Sequence, residues 1–130
     1  MTIRLIIAAA LSMAATVVCS GENSGDVAMT SAQRFDPSTI TVSVGEPVVF
    51  VNNSNEAHTV TAVEDTLPDG GSYFASGGFT DEAAARSNPS DGFILEGEIF
   101  EIEFGAPGTY EYFCIPHESS GMRGTIIVEE

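Results

Sequence analysis

Apolar and polar side chains alternate at every second residue in short segments along this chain. In the clearest example, residues 39–44, Ile40, Val42 and Val44 alternate with threonine and serine. A two-residue period places alternate side chains on the same face of an extended strand, which is then half buried in a sheet. Further strand-like runs, separated by Gly, Pro and Asn, lie at 48–51, 58–63, 98–104, 109–114 and 124–129. The chain is therefore restricted to an all-β fold, and about seven or eight short strands at this spacing are typical of a β-sandwich.

The segment at 64–97 interrupts this pattern. Glycine and proline break it at 68–71, 77–78 and 88–89. Between these breaks, residues 81–86 read Asp-Glu-Ala-Ala-Ala-Arg, which predicts a short helix with Thr80 or Asp81 as its N-cap. We expect a loop and short-helix excursion around 64–97 that leaves a single sandwich core intact.

The first eighteen residues predict an export signal. Arg4 precedes an apolar run of fourteen residues at 5–18, whereas a membrane-spanning helix needs about 20. Two cleavage positions fit this leader. Cleavage after residue 18 would leave Cys19 as a lipid attachment site, and cleavage after residue 20 would release a soluble protein. In either case residues 19–26 are predicted to be a flexible tether and residues 27–130 the folded domain.

The charge of the chain is strongly acidic, with 19 Asp and Glu against four Arg, no Lys and a formal net charge of −15. Loss of Arg4 with the leader would leave 19 acids against three arginines, or −16. Such a charge excludes nucleic acids and anionic membrane surfaces as partners. The acids either solvate a protein that lives in high salt or steer it towards a basic partner. The absence of lysine favours high salt, where a Debye length of about 3 Å at 1 M would suppress steering.

Three potential metal ligands follow one predicted strand in a Cys-x2-His-x4-Met pattern. Along 110–114 the two-residue period places Tyr110, Tyr112 and Cys114 on the inner face, because Glu111 belongs on the outer one. The thiol then lies at the end of a strand inside one rim of the sandwich. His117 and Met122 come from the following loop, and His58 is the only other histidine.

Two histidines, a cysteine and a weak axial methionine are the ligands of blue-copper electron-transfer sites. We therefore predict that His58, Cys114, His117 and Met122 bind one type 1 copper ion, which cycles between Cu(I) and Cu(II). Two other roles for Cys114 are a disulfide with Cys19 and a buried inert thiol. Zinc is a poorer match, because structural zinc prefers four Cys or His ligands and a thioether binds it weakly.

The ligand segment resembles a known family. Residues 108–124, Gly-Thr-Tyr-Glu-Tyr-Phe-Cys-Ile-Pro-His-Glu-Ser-Ser-Gly-Met-Arg-Gly, are similar to the ligand loop of plastocyanins. The segments at 58–62, 65–70 and 73–79 resemble halocyanins, the plastocyanin-like blue-copper proteins of haloarchaea. The resemblance covers about 27–129 and implies a cupredoxin-like Greek-key β-sandwich with one copper ion and the four ligands named above. Two positions depart from plastocyanins, which have tyrosine in place of Phe113 and asparagine in place of Thr59.

These observations predict a small exported protein that shuttles single electrons, located in the periplasm or at the outer face of the cell membrane. The implied partners are membrane respiratory or photosynthetic redox proteins, which would dock transiently near His117 on a monomer. The protein is not expected to be an enzyme, because both histidines are already assigned and a second metal centre would lack ligands. The alternative is a copper chaperone or storage protein, although these usually carry Met-rich or Cys-x-x-Cys sites. Pro116 has no N–H, so we expect one backbone donor to the Cys114 sulfur, from around Thr59.

Overall fold

The computed structural model describes residues 25–130 of the chain. The predicted signal segment 1–18, Cys19 and most of the predicted tether lie outside the described residues. Eight strands are present in this part: β1 Val27–Met29, β2 Phe35–Asp36, β3 Thr39–Ser43, β4 Val48–Asn52, β5 Thr61–Ala62, β6 Ile99–Ile102, β7 Gly108–Phe113 and β8 Arg123–Glu129. They are accompanied by one α-helix, α1 Glu82–Ser87, and by 3-10 turns at Glu64–Thr66, Pro89–Gly92 and Glu118–Ser120.

The strands form two four-stranded sheets, with the orders β2-β1-β4-β6 and β3-β8-β7-β5. Two pairings are parallel, β1 with β4 and β3 with β8, and the others are antiparallel. Neighbours such as β1 and β4, or β3 and β8, are distant in sequence, as expected for Greek-key connections. The predicted all-β sandwich of about seven or eight strands is confirmed.

Aromatic side chains join the two sheets in the core. Tyr112 of β7 packs edge-on against Phe35 and Phe50 of the other sheet, with ring centroids 4.6 and 5.3 Å away. Gly124, its cross-strand partner on β8, leaves the space that the Tyr112 ring fills, since a Cβ there would overlap the ring. Tyr110, Tyr112 and Cys114 are all buried, as the two-residue period predicted. This packing holds the end of β7 in place, and Cys114 follows directly after that end.

The strand predicted at 58–63 is wrong in extent, because only Thr61–Ala62 forms β5. His58 instead makes an isolated bridge to Ile94, with backbone hydrogen bonds of 3.2 and 2.8 Å. The Val60 amide donates to the Ser76 hydroxyl, and the Ser76 amide donates to the Val60 carbonyl. The excursion thus covers this edge of the sheet with irregular backbone, which pairs with the backbone groups of His58 and Val60 without a regular ladder.

The excursion contains the predicted helix. Asp81 is its N-cap, and the Asp81 carboxylate accepts a hydrogen bond of 2.7 Å from the Ala84 amide.

Strands β1 and β2 were not predicted, because segments of three and two residues are too short to show a period. None of the helices within 25–130 has the length and apolar character needed to cross a membrane.

Candidate metal centre

Three of the four predicted ligands meet at one rim of the sandwich. The Nδ1 atoms of His58 and His117 are 3.1 Å apart, and they lie 3.7 and 3.4 Å from the Cys114 sulfur. Metal bonds of about 2.0–2.3 Å allow two ligand atoms to lie up to about 4.6 Å apart. All three atoms are therefore close enough to bind one ion.

The connection between β7 and β8 positions three of the predicted ligands. Cys114 follows the last residue of β7, His117 precedes the 3-10 turn at Glu118–Ser120, and Met122 precedes β8. Gly121 closes that turn in the left-handed conformation, with φ of 76°, which an L side chain rarely adopts. The Cys114 amide donates to the Met122 carbonyl at 3.0 Å, and the Met122 amide donates to the His117 carbonyl at 3.3 Å. The fully buried Met122 is thus tied by its backbone to both other ligand positions of the loop.

Thr59 holds the Cys114 sulfur and the ligand loop. Its amide donates to the Cys114 sulfur at 3.4 Å, which confirms the predicted backbone donor. Its hydroxyl accepts a hydrogen bond of 2.8 Å from the Ile115 amide. Burial raises the pKa of the Cys114 thiol, and nearby donors, first the Thr59 amide and then the His117 amide, oppose this. We regard Thr59 as the main donor, because the His117 amide bonds the Cys114 carbonyl at 3.3 Å.

His58 is fully buried and lies among polar groups. Its Nε2 atom is 2.8 Å from the Ser54 hydroxyl, on the opposite side of the ring from Cys114. Burial, followed by the proximity of His117, lowers the pKa of His58 below the ordinary value of 6.5. The imidazole is therefore neutral at pH 7, the form in which it can bind a metal.

His117 is the ligand that reaches the surface, since its side chain is 13% exposed whereas His58 and Cys114 are 0% exposed. Its Nε2 atom lies 4.0 Å from the Glu56 carboxylate. Glu56 accepts a hydrogen bond from the Gln33 side-chain amide through Oε1, and Oε2 is buried without a hydrogen-bond partner. The outer edge of His117 therefore faces one acidic group and solvent.

Phe113 does not lie on the open surface, although the strand period places it on the outer face of β7. The ring is 1% exposed, because the Arg86 guanidinium lies 4.5 Å from the ring centroid and that of Arg123 lies 5.9 Å away. Both arginines also pair with Glu118 in the ligand loop. The aromatic residue next to Cys114 is therefore covered by cationic side chains.

The chemistry of this donor set fits copper. Cys114 is a free, buried thiol within the described residues, and Cys19, its partner in the disulfide considered as an alternative, lies outside them. A bound cation deprotonates a coordinating thiol, which offsets the burial that raises its pKa. One thiolate and two imidazoles are the trigonal ligands of a blue-copper centre. Among the described residues, His58, Cys114 and His117 form the one group of His, Cys, Asp and Glu side chains close enough to hold a metal.

A Greek-key sandwich with this site at one rim defines an electron-transfer copper protein of the cupredoxin class, which binds one type 1 copper ion. The chain belongs to the plastocyanin/azurin family of copper-binding proteins, whose family model matches residues 22–129.

Known proteins support this assignment. The chain is 38% identical over 95 residues to plastocyanin of Scenedesmus fuscus, which covers 73% of this chain and 86% of that protein. It is 36% identical over 115 residues to chloroplastic plastocyanin of Physcomitrium patens, covering 88% of this chain but only 58% of that protein. The Cu-containing nitrite reductase of Thermus scotoductus shares the fold, with a TM-score of 0.60 and 25% identity, over 80% of this chain and 22% of its own.

Sequence reasoning missed two residues beside the ligands, Ser54 and Glu56. Both lie in the polar segment between the end of β4 and His58, which was interpreted from the sequence only as a break between two strand-like runs. Ser54 lies four residues before His58, and its contact with the ring depends on how the loop folds back. The dense run of Asn and Ser before the histidine was the available signal, because such side chains hydrogen-bond nearby polar groups.

Proposed function

We propose that this protein is an exported, halocyanin-like electron carrier that passes single electrons between redox partners at the outer face of a cell membrane. The observation that carries the proposal is the unequal burial of the site, in which only the edge of His117 is exposed. An electron then has one short route in and out. The predicted leader and the acidic, lysine-free composition support export and a salt-rich environment.

His58 Nδ1, His117 Nδ1 and Cys114 Sγ would hold the copper ion, together with the Met122 thioether as a weaker ligand. When bound, copper supplies the one-electron Cu(II)/Cu(I) couple. The protein holds the ligands in one geometry and excludes water. Ser54 contacts the His58 ring, Thr59 donates to the Cys114 sulfur, and backbone hydrogen bonds connect the two ends of the ligand loop. A site fixed in this way needs little rearrangement when its charge changes.

The proposed docking surface surrounds His117. Ala57, Ile115, Pro116 and Gly121 are at least partly exposed small or apolar residues on the two loops that carry the histidines. Weak redox encounters bury less than about 1,200 Å², which suits a carrier that must leave its partner quickly. We expect a monomer that docks to membrane respiratory or photosynthetic proteins, and we expect the route through Phe113 to be blocked by Arg86.

Two other functions are less well supported. The first is a copper enzyme. It is less well supported because the relatives named above are plastocyanins, and because the chain matches only 22% of the nitrite reductase chain that shares its fold.

The second is a copper chaperone. A copper chaperone must release its ion to a partner, which requires accessible ligands. Here His58, Cys114 and Met122 are all fully buried. Burial of this kind favours an ion that stays in place while electrons move.

The visible spectrum of the Cu(II)-loaded protein tests the proposal. We expect an intense absorption band in the red that ascorbate bleaches, and we expect a Cys114→Ala variant to lack it. Retention of copper against a Cu(I) chelator would separate a carrier from a chaperone. A colourless wild-type protein, or one that binds zinc in preference to copper, would overturn the electron-carrier function.

A further inference from the structure

A buried chain of hydrogen bonds runs from Asn52 through Ser54 to His58. The Asn52 amide nitrogen donates to the carbonyl oxygens of Glu56 at 2.7 Å and Ile94 at 2.8 Å. Its side-chain oxygen accepts from the amide and the hydroxyl of Ser54, at 2.9 and 2.8 Å. The Ser54 hydroxyl in turn lies 2.8 Å from His58 Nε2. Asn52, Ser54 and His58 are 0%, 4% and 0% exposed, so water does not compete for these bonds.

Donor and acceptor counts fix the direction of the chain. Asn52 uses both amide protons on carbonyl oxygens, and the reverse orientation of the amide would set oxygen against oxygen. Its Oδ1 atom therefore faces Ser54 as an acceptor. Ser54 has one hydroxyl proton, and its 2.8 Å contact with Asn52 Oδ1 requires that proton, because Oδ1 carries none and two oxygens without a hydrogen between them repel. The Glu56 carbonyl is more distant at 3.3 Å, and the Glu56 amide donates to the Ser54 oxygen at 3.3 Å. The Ser54 oxygen then accepts from His58, which places the imidazole proton on Nε2.

The geometry points to Ser54, oriented by Asn52, as a positioning residue that holds His58 in the Nε2–H form and increases electron donation from its Nδ1 atom to copper. This inference rests on the proposed function. In the Nε2–H form the Nδ1 lone pair faces Cys114 and His117. A partner that accepts from the remote N–H of a ligand imidazole orients the ring and raises its basicity as a ligand.

The two histidines of the site are held differently. His117 Nε2 has no hydrogen-bond partner within residues 25–130, since its nearest carboxylate, that of Glu56, lies 4.0 Å away. Only the His58 ring is fixed by a neutral, buried acceptor. Greater basicity of His58 stabilises Cu(II) more than Cu(I), because the ion with the higher charge gains more from a stronger donor. Ser54 is therefore expected to lower the reduction potential.

The first test uses the copper-free full chain and needs no variant. Nitrogen-15 NMR of the histidine rings reports which nitrogen carries the proton. We expect His58 to be protonated at Nε2, with slow exchange of that proton, whereas His117 should exchange faster. A proton on His58 Nδ1 would overturn the inference without bearing on the electron-carrier function, which the blue band of the wild type tests separately.

The second test compares Ser54→Ala with Ser76→Ala. Both serines are 4% exposed, and the hydrogen bonds of the Ser76 hydroxyl go to the Val60 amide and the Gly92 carbonyl rather than to a ligand side chain. In Ser54→Ala we expect the reduction potential to rise and Cu(II) affinity to fall about 10–100-fold, the usual loss when the partner of a metal ligand is removed. Ser54→Thr, which keeps the hydroxyl, should restore the potential.

Ser76→Ala should retain the potential and copper affinity of the wild type, even if it loses a similar amount of stability. An unchanged potential in Ser54→Ala, or equal shifts in the two alanine variants, would overturn the positioning role.

Discussion

Thr59 connects the two parts of the metal site at the scale of a single residue. It follows His58 directly, and its amide donates to the Cys114 sulfur while its hydroxyl accepts from the Ile115 amide. Thr59 is 1% exposed, and its bond to Cys114 is buried while its bond to Ile115 is partly buried. The Thr59 hydroxyl thus tethers the start of the ligand loop to the residue that follows His58.

Thr59→Val should weaken this tether. Valine keeps the shape and the backbone amide but leaves the Ile115 N–H without its acceptor, and a buried polar group without a partner costs about 1–3 kcal/mol. Denaturant unfolding of the copper-loaded protein should show a loss in this range. The matched control is Thr61→Val, because the Thr61 hydroxyl only donates to Thr59 at 3.3 Å. Equal losses in the two variants would contradict the tethering role of Thr59.

Helix α1 acts as an element that braces the ligand loop. Arg86, near its end, bonds Glu118 through two guanidinium nitrogens at 2.7 and 3.1 Å and bonds Glu82 at 2.8 Å. Glu118 begins the 3-10 turn that follows His117. Arg86 thus links the excursion at 64–97 to Glu118 of the ligand loop, and the same guanidinium covers the Phe113 ring.

The pairing of Arg86 with Glu118 should make stability depend on pH. The hydrogen bond from Arg86 is the main cause that lowers the pKa of Glu118. A carboxylate with a lowered folded pKa stabilises the protein above its unfolded value of about 4.3, and this contribution disappears as pH falls through the folded pKa. The pair is partly exposed, so its contribution should not exceed about 1 kcal/mol.

Glu118→Gln should therefore be less stable than wild type at pH 7, and the difference should shrink as the solution is acidified below about pH 4. Chemical unfolding of both proteins across this range measures the effect. In an Arg86→Gln background the same substitution should change the pH profile much less, because only Arg123, at 3.7 Å, still pairs with Glu118. Parallel profiles for wild type and Glu118→Gln would show that the ion pair contributes nothing.

Elements with a local signal were predictable from sequence, and the contacts between distant segments were not. Helix α1 was predicted with its cap because Asp81 and the alanines are neighbours in sequence. The pairing of Arg86 with Glu118 joins residues 32 positions apart, and it depends on the path of the whole excursion. The strand predicted at 58–63 was too long because His58 pairs with the irregular segment around Ile94, which is 36 positions away in the sequence. The local pattern around His58 cannot show this contact.

At the scale of the whole molecule, the sandwich and the ligand cluster of His58, Cys114 and His117 follow from patterns that a single sequence displays. Strand periodicity predicted the fold, and the Cys-x2-His-x4-Met spacing with one distant histidine predicted the residues that converge. Ser54 and Gln33 were beyond this reasoning. Gln33 reaches Glu56 only when two loops 23 positions apart meet, and Ser54 reaches the His58 ring only because its own loop folds back.

The acidic charge of the molecule should make its stability depend on salt. Nineteen carboxylates face four arginines, and Arg86 and Arg123 are already paired with Glu118. Raising NaCl from about 0.1 M to 1 M shortens the Debye length from about 10 Å to 3 Å and screens the remaining repulsion. We expect the thermal unfolding midpoint to rise over this range.

A triple variant that replaces the exposed Glu96, Glu98 and Glu101 with glutamine provides the control. It carries less negative charge and should show a smaller rise in the midpoint with salt. If the thermal midpoint of the wild type falls or stays constant with salt, adaptation to high salt does not explain the acidic composition. Steering towards a basic partner is then the favoured explanation.

His58 and Cys114 are 56 positions apart in the sequence, and this separation has a consequence for biogenesis. A growing or translocating polypeptide presents His58 long before Cys114, and a single imidazole cannot retain copper against competing cellular ligands. The three donor atoms meet only when β5, β7 and β8 are assembled in one sheet. Binding of copper by all three donors therefore requires the folded sheet, and copper that reaches the chain before these strands have paired meets only separate ligands.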